Sequence, residues 1–206
     1  MTTKEMPTQG ADLKQGVYRT DPTFMAVIKA KYRIIGDLAA SADNAQAYLY
    51  LTEAEDSLSV DWKEWYDFCV GDEGEGWLWL NPPYDNIGKW AAKCAYAQSQ
   101  GVKILFLVPA GVGSNWYAKY VEDFACVDLL NGRLVFEFLY PEDYMDAATK
   151  KKNIERAKEG LSPEFSPKAG KPNTDPYPKD MILAEYDDSV PLADRLARTW
   201  NWKAYL

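Results

Sequence analysis

Trp77-Leu78-Trp79-Leu80-Asn81-Pro82-Pro83-Tyr84 is the stretch on which the fold turns. Four consecutive apolar residues, entered from the turn Gly71-Asp72-Glu73-Gly74-Glu75-Gly76, predict a short buried strand. Two prolines then stop it, each holding φ at about −65° and removing a backbone donor, so the chain leaves the strand as a rigid extended turn. A helix over 87–99 follows. After it comes Lys103-Ile104-Leu105-Phe106-Leu107-Val108, a continuous apolar run of the kind found where helices cover both faces of a parallel sheet.

The same alternation extends outward in both directions. Thr20 or Asp21 can cap a helix with Pro22 in its first turn and Phe24, Val27 and Ile28 on one face. Residues 33–38 read as a strand, 41–45 as a turn into a short helix, 47–51 as a second strand, and the Trp-rich stretch 61–68 as a helix whose Trp62 and Trp65 serve core packing. Beyond the central run, 116–124 predict a helix. Residues 126–130 and 133–139 predict two strands around Asn131-Gly132, a hairpin signal. Periodicity fades over 141–178, which carries six prolines and a basic cluster. Residues 181–186 predict a closing strand, and Leu192, Leu196 and Trp200 a terminal helix. With no internal repeat, these elements predict one domain over residues 1–206. It would be a three-layer αβα sandwich on a mixed sheet, with a C-terminal antiparallel hairpin and a long basic, Pro-rich loop at about 141–178.

Composition excludes several kinds of chemistry. The chain has 206 residues, 47% of them hydrophobic, enough for one substantial core. No apolar stretch approaches the roughly 20 residues needed to cross a bilayer, and Met1-Thr2-Thr3-Lys4-Glu5 lacks a signal-peptide core, so a soluble, cytoplasmic protein is expected. Cys69, Cys94 and Cys126 are odd in number and far apart, which reads as buried free thiols rather than disulfides or a zinc cluster. The absence of histidine removes the commonest general base and transition-metal ligand, so hydrolase triads and histidine metal sites are not expected. A net charge of −8 confines any nucleic-acid contact to a local basic patch.

The Asn-Pro-Pro-Tyr turn suggests a specific reaction. An amino nitrogen on an aromatic base is a poor nucleophile because its lone pair is delocalised into the ring. Acceptors at the Asn81 side-chain oxygen and the Pro82 carbonyl would bond both amino hydrogens and favour a pyramidal nitrogen with its lone pair free. Pro83 keeps the turn rigid, and Tyr84 offers an aromatic face for stacking. An activated methyl donor in line with that nitrogen then needs little beyond positioning.

The chain resembles the phage-type (Dam-like) DNA N-6-adenine methyltransferases. The resemblance rests on Asp37-Leu38-Ala39-Ala40-Ser41 with Asn44-Ala45, Leu51-Thr52-Glu53 through Asp56-Ser57-Leu58 with Asp61-Trp62, Asn81-Pro82-Pro83-Tyr84, Leu107-Val108-Pro109-Ala110 with Trp116, and Gly132-Arg133-Leu134-Val135-Phe136. It spans roughly residues 18–186. The ordered set is far more specific than the tetrapeptide, which also occurs in protein glutamine and RNA methyltransferases. The resemblance implies a Rossmann-like S-adenosylmethionine-dependent fold, with S-adenosylhomocysteine as product and no metal. Asp37, Ala39, Ala40 and Ser41 would form the cofactor loop. Glu53 would meet the ribose, Asp56 or Leu58 would border the cofactor's adenine, and Thr20 with Asp21-Pro22 looks like an upstream Thr-Pro element with Asp21 inserted.

The acceptor implied is adenine N6 in double-stranded DNA, attacked directly after the base is extruded at a cost of a few kcal/mol. Lys150, Lys151, Lys152, Arg156 and Lys158, then Lys168 and Lys171, are candidate phosphate contacts. Arg133 is a candidate for nucleic-acid contact or an ion pair, and Trp116 joins the nucleic-acid set through the resemblance. A short palindrome such as GATC or relaxed specificity would follow, as would protection of phage DNA in the host-cell cytoplasm against restriction. The alternatives are an RNA adenine or protein glutamine acceptor, or a catalytically silent binding module, for which the acidic charge is the main support.

Overall fold

The computed structural model describes residues 19–206; the polar leader lies outside them. Helix α1 (Pro22–Lys31) begins as its sequence dictates, with proline at the first turn. Asp21 accepts from the Thr23 and Phe24 amides at 2.9 and 3.2 Å. The same carboxylate accepts from the Val135 amide at 3.2 Å, so the residue inserted in the Thr-Pro element ties α1 to a distant segment.

Six strands form one mixed sheet: β1 (Ile34–Asp37), β2 (Trp77–Leu80), β3 (Ile104–Pro109), β4 (Ala125–Leu130), β5 (Met181–Tyr186) and β6 (Ala197–Trp200), in the order β1-β2-β3-β5-β4-β6. β1, β2 and β3 run parallel, β5 lies antiparallel between β3 and β4, and β6 pairs parallel to β4. Alternate residues enter two separate cores. Leu78, Leu80, Ile104, Phe106 and Val108 pack with α2 (Trp62–Val70), α3 (Ile87–Gln98) and α4 (Asn115–Tyr120), through residues such as Trp62, Cys94 and Tyr117. Trp79, Leu105, Leu107 and Leu183 pack with α1 and with Trp202. Burial on both faces explains why these strands read as unbroken apolar runs. The three cysteines are free thiols, Cys94 buried and Cys69 and Cys126 half-buried. Among the described residues no helix is long and apolar enough to cross a membrane.

Several expectations need correction. Residues 133–139 do not form a hairpin with β4, because both sides of β4 are already taken, by β5 and by β6. The segment leaves the sheet at Gly132 (φ 110°), buries Leu134 and Phe136 over α1, and makes only isolated bridges, Glu137 to Arg19 and Leu139 to Pro172. Residues 47–51 are no strand either, being reduced to a bridge between Tyr50 and Asp37. Residues 41–45 turn without entering a helix. Within the segment expected as a loop, Ala147–Lys158 form helix α5, capped by Asp146 accepting from the Thr149 amide at 2.8 Å. The expected terminal helix is instead β6: Arg198 bonds buried Asp128 at 2.6 Å, while Leu192 and Leu196 stay exposed.

Gly36 sits where β1 meets α2, and a Cβ there would lie 2.6 Å from the Trp65 ring and 3.0 Å from Leu78. Gly36→Ala should therefore destabilise the fold by about 1–3 kcal/mol in denaturant unfolding. Gly113→Ala, which meets nothing within 4 Å, should stay within about 0.5 kcal/mol of the parent. Equal values for the two would remove the packing argument.

Candidate active site

The carboxyl ends of β1, β2 and β3 lie along one edge of the sheet, because the three strands are parallel. From β1 the chain first bridges back on the outer side, at Tyr50, and then crosses to place β2 on the inner side. The direction of winding thus reverses at β1, the position where ligands bind in sheets of this kind.

Asp37 ends β1 and is 2% exposed. Its carboxylate accepts from the Ala39 amide at 3.1 Å and the Gln46 amide at 2.9 Å, which pins the loop of Ala39, Ala40 and Ser41 at both ends. The Ala40 amide reaches the Leu51 carbonyl at 3.0 Å, so this loop and the start of the Glu53 segment are joined. Burial pushes the Asp37 carboxyl up to about 6, against the pull of the two amide bonds.

Thr52 caps the single turn Glu53–Glu55 in a capping box, its amide donating to Glu55 at 2.7 Å. Glu55 is thereby engaged, whereas the exposed Glu53 side chain makes no hydrogen bond or ion pair with the described residues. Asp56 takes a left-handed conformation (φ 46°), unusual for a residue with a side chain. The next loop is held by a residue that sequence reasoning missed. Lys93 of α3 donates to the carbonyls of Ser57, Leu58 and Val60 at 3.0, 2.7 and 2.5 Å and lies 4.9 Å from the Trp62 ring centre. Nothing local marks it, since it follows Leu58 by 35 positions.

At the end of β2 the strand stops at Asn81. Pro83 is extended (φ −54°, ψ 134°) and Tyr84 opens a short turn into α3. The Asn81 Nδ2 donates to Thr20 Oγ1 at 3.1 Å, and the Tyr84 hydroxyl donates to Asn81 Oδ1 at 2.8 Å. Thr20 is buried, so it fixes which way the carboxamide points. Burial holds the Tyr84 phenol well above its usual value, leaving it a neutral donor. Its ring meets Tyr177 edge-on with centres 6.0 Å apart. Thr20, expected near the cofactor, thus also contacts the Asn-Pro-Pro-Tyr turn.

The basic residues stand apart. On α5, Lys152 and Arg156 pair with Glu164 at 2.6 and 2.7 Å, and Lys158 pairs with Glu155 at 3.0 Å. Lys168 pairs with Asp175, and Arg133 with Asp180 at 3.6 Å. Trp116 lies elsewhere, in a groove beside Tyr84. Among the described residues no cluster of three or more histidine, cysteine or carboxylate side chains is placed to hold a metal.

A mixed α/β sheet with Asn-Pro-Pro-Tyr at the end of a parallel strand is compatible with a methyltransferase. A family model described as DNA N-6-adenine-methyltransferase (Dam) matches residues 8–161, and the chain belongs to that family. No curated protein and no solved structure matches it. Membership implies a DNA adenine methyltransferase that uses S-adenosylmethionine.

The folded state binds a proton at Asp37 more tightly than the unfolded chain, whose aspartates titrate near 3.9, so rising pH removes stability between that value and about 6. Relative to Asp37→Asn, the parent should lose about 2 kcal/mol from pH 4 to pH 7 in chemical denaturation. A difference that stays flat across this range would contradict the burial argument.

Proposed function

We propose that the protein transfers a methyl group from S-adenosylmethionine to N6 of adenine in double-stranded DNA, by direct attack of the amino nitrogen of an extruded base. The observation that carries this reading is the orientation of the Asn81 carboxamide. With Nδ2 taken by Thr20, Oδ1 is left as the acceptor, engaged by the Tyr84 hydroxyl, on a turn whose prolines offer no competing amide donors. An exocyclic amino group bonded there, and to the Pro82 carbonyl, gains nucleophilicity as its lone pair leaves conjugation with the ring. Tyr84 first releases Oδ1 and then presents its ring to the base.

The cofactor fits the donor set on the neighbouring strand ends. A sulfonium and an ammonium call for acceptors, and ribose hydroxyls call for a free carboxylate. Asp37 shapes the loop of Ala39, Ala40 and Ser41, whose small side chains allow close approach to the backbone. Unengaged Glu53 suits the ribose, and Asp56 with Leu58, positioned by Lys93, suits the adenine ring. When bound, S-adenosylmethionine supplies the electrophilic methyl group. Two apolar cores on opposite faces of the sheet support a three-layer, Rossmann-like arrangement within a single domain.

DNA affinity is assigned in part to Lys150, Lys151, Lys152 and Arg156 on α5 and to Arg133. Exposed ion pairs such as Lys152 with Glu164 contribute only about 0–1 kcal/mol, so phosphate can replace the carboxylate at little loss.

Labelled S-adenosylmethionine offered with unmodified DNA, RNA and protein tests the reading. Label should enter DNA adenine; cofactor binding with unlabelled DNA would overturn it. Asn81→Ala should lower kcat by about 100-fold or more, as loss of one transition-state hydrogen bond typically does, and leave cofactor affinity within about threefold. Tyr84→Phe keeps the stacking face and removes the competing hydroxyl, so turnover should be maintained or raised. Tyr84→Ala should raise the DNA KM by about 10-fold or more through lost stacking.

A further inference from the structure

Beside the catalytic turn, a groove of about 650 Å³ runs between α3 and α4, with Tyr84 on its wall. Its size lies within the range of about 300–1,000 Å³ common to ligand clefts. Half-exposed Trp116 forms an aromatic surface, braced by Tyr117 with ring centres 6.0 Å apart. Room for that indole depends on Gly111, where a Cβ would lie 2.7 Å from the Trp116 ring. Lys89 and Lys119 stand on the groove's rim, exposed, and neither forms an ion pair with a described residue. Lys119 lies 5.0 Å from the Tyr120 ring centre.

The chain carries a net charge of −8, and Lys63, Lys103, Lys152, Lys158 and Lys168 are each bound to a carboxylate. Lys89 and Lys119, like Lys151 and Lys171, form no ion pair with a described residue, and in the groove the two stand with an aromatic surface and one acid, Asp85. Positive charge flanking an exposed indole is the chemistry that receives a nucleotide, with its phosphate on the lysines and its base on the ring.

Resting on the function proposed above, we propose that this groove holds the nucleotide next to the extruded adenine. Lys89 and Lys119 grip its phosphate, and its base stacks on Trp116. Extruding a base removes a stacking neighbour from the adjoining one, and Trp116 supplies a replacement surface. Tyr84 forms the wall between the two nucleotides, so the target stays in the catalytic crevice while its neighbour is held outside it.

The test uses the full chain and a short duplex carrying 2-aminopurine beside the target adenine, with binding followed from 50 to 200 mM salt. The double variant Lys89→Gln, Lys119→Gln should reduce the slope of log K against log salt by about 1, the loss of one phosphate contact. Trp116→Leu should keep the parent slope, raise the DNA KM by about 10-fold, the effect of losing one stacked base, and leave the 2-aminopurine bright where the parent quenches it. Trp116→Phe should restore most of the quenching, which separates lost stacking from a disturbed fold; cofactor affinity should not change in any variant. A parent that methylates DNA, with variants indistinguishable from it in slope and fluorescence, overturns the groove assignment alone. A parent that leaves DNA unmethylated overturns the underlying function as well.

Discussion

The hydrogen bond from the Leu38 amide to the Trp79 carbonyl, at 2.9 Å, locks the last residues of β1 beside those of β2. Asp37 pairs in register with Trp79, two residues before Asn81, so the loop after one strand and the turn after the other open at the same edge of the sheet. Such register holds because each strand is buried on both faces and a one-residue slip would exchange the two apolar sets. Leu78 and Leu80 belong to the α3 side and Trp79 to the α1 side; neither core can accept the other's residues without voids or overlap.

Where a segment's partner is dictated by its own apolar run, its structure was legible. Residues 77–80, 104–108 and 181–186 carry enough hydrophobic surface to demand a central position whatever the rest of the chain does. Residues 133–139 and 192–200 do not, and local pattern misled there. The alternation of Leu134 and Phe136 is satisfied against α1 instead of in a ladder, because β5, 50 or so positions later, has already taken that side of β4. Leu192, Leu196 and Trp200 repeat at helical spacing, yet the open side of β4 and the carboxylate of Asp128 draw residues 197–200 into extended form. Local propensity is the weaker influence in both cases.

The site divides in the same way. Asn81-Pro82-Pro83-Tyr84 is contiguous, so a role could be proposed for it before its surroundings were known. Lys93 and Thr20 act across 35 and 61 positions, and each is an ordinary residue in its own segment. Charge was legible only as a sum. A basic cluster at 150–158 looked like the obvious phosphate contact, but on the folded chain Glu155 and Glu164 stand beside it. Lys89 and Lys119, which have no such partner among the described residues, come from two separate helices and line one groove only after α3 packs on α4.

Asn81 Oδ1 has two successive donors in the proposed reaction. In the structure it accepts from Tyr84, and in the proposed methyl transfer it would accept from the amino group of the base. Exchanging one neutral hydrogen bond for another changes the free energy by only about 1 kcal/mol, so the bond from Tyr84 does not oppose the substrate appreciably. What does not exchange is the bond from Nδ2 to buried Thr20. It keeps the carboxamide from turning its nitrogen toward an incoming amino group, where two donors would face each other. In the proposed reaction, the orientation of a single amide, tied to a threonine 61 positions earlier, is what makes the turn at the end of β2 an acceptor.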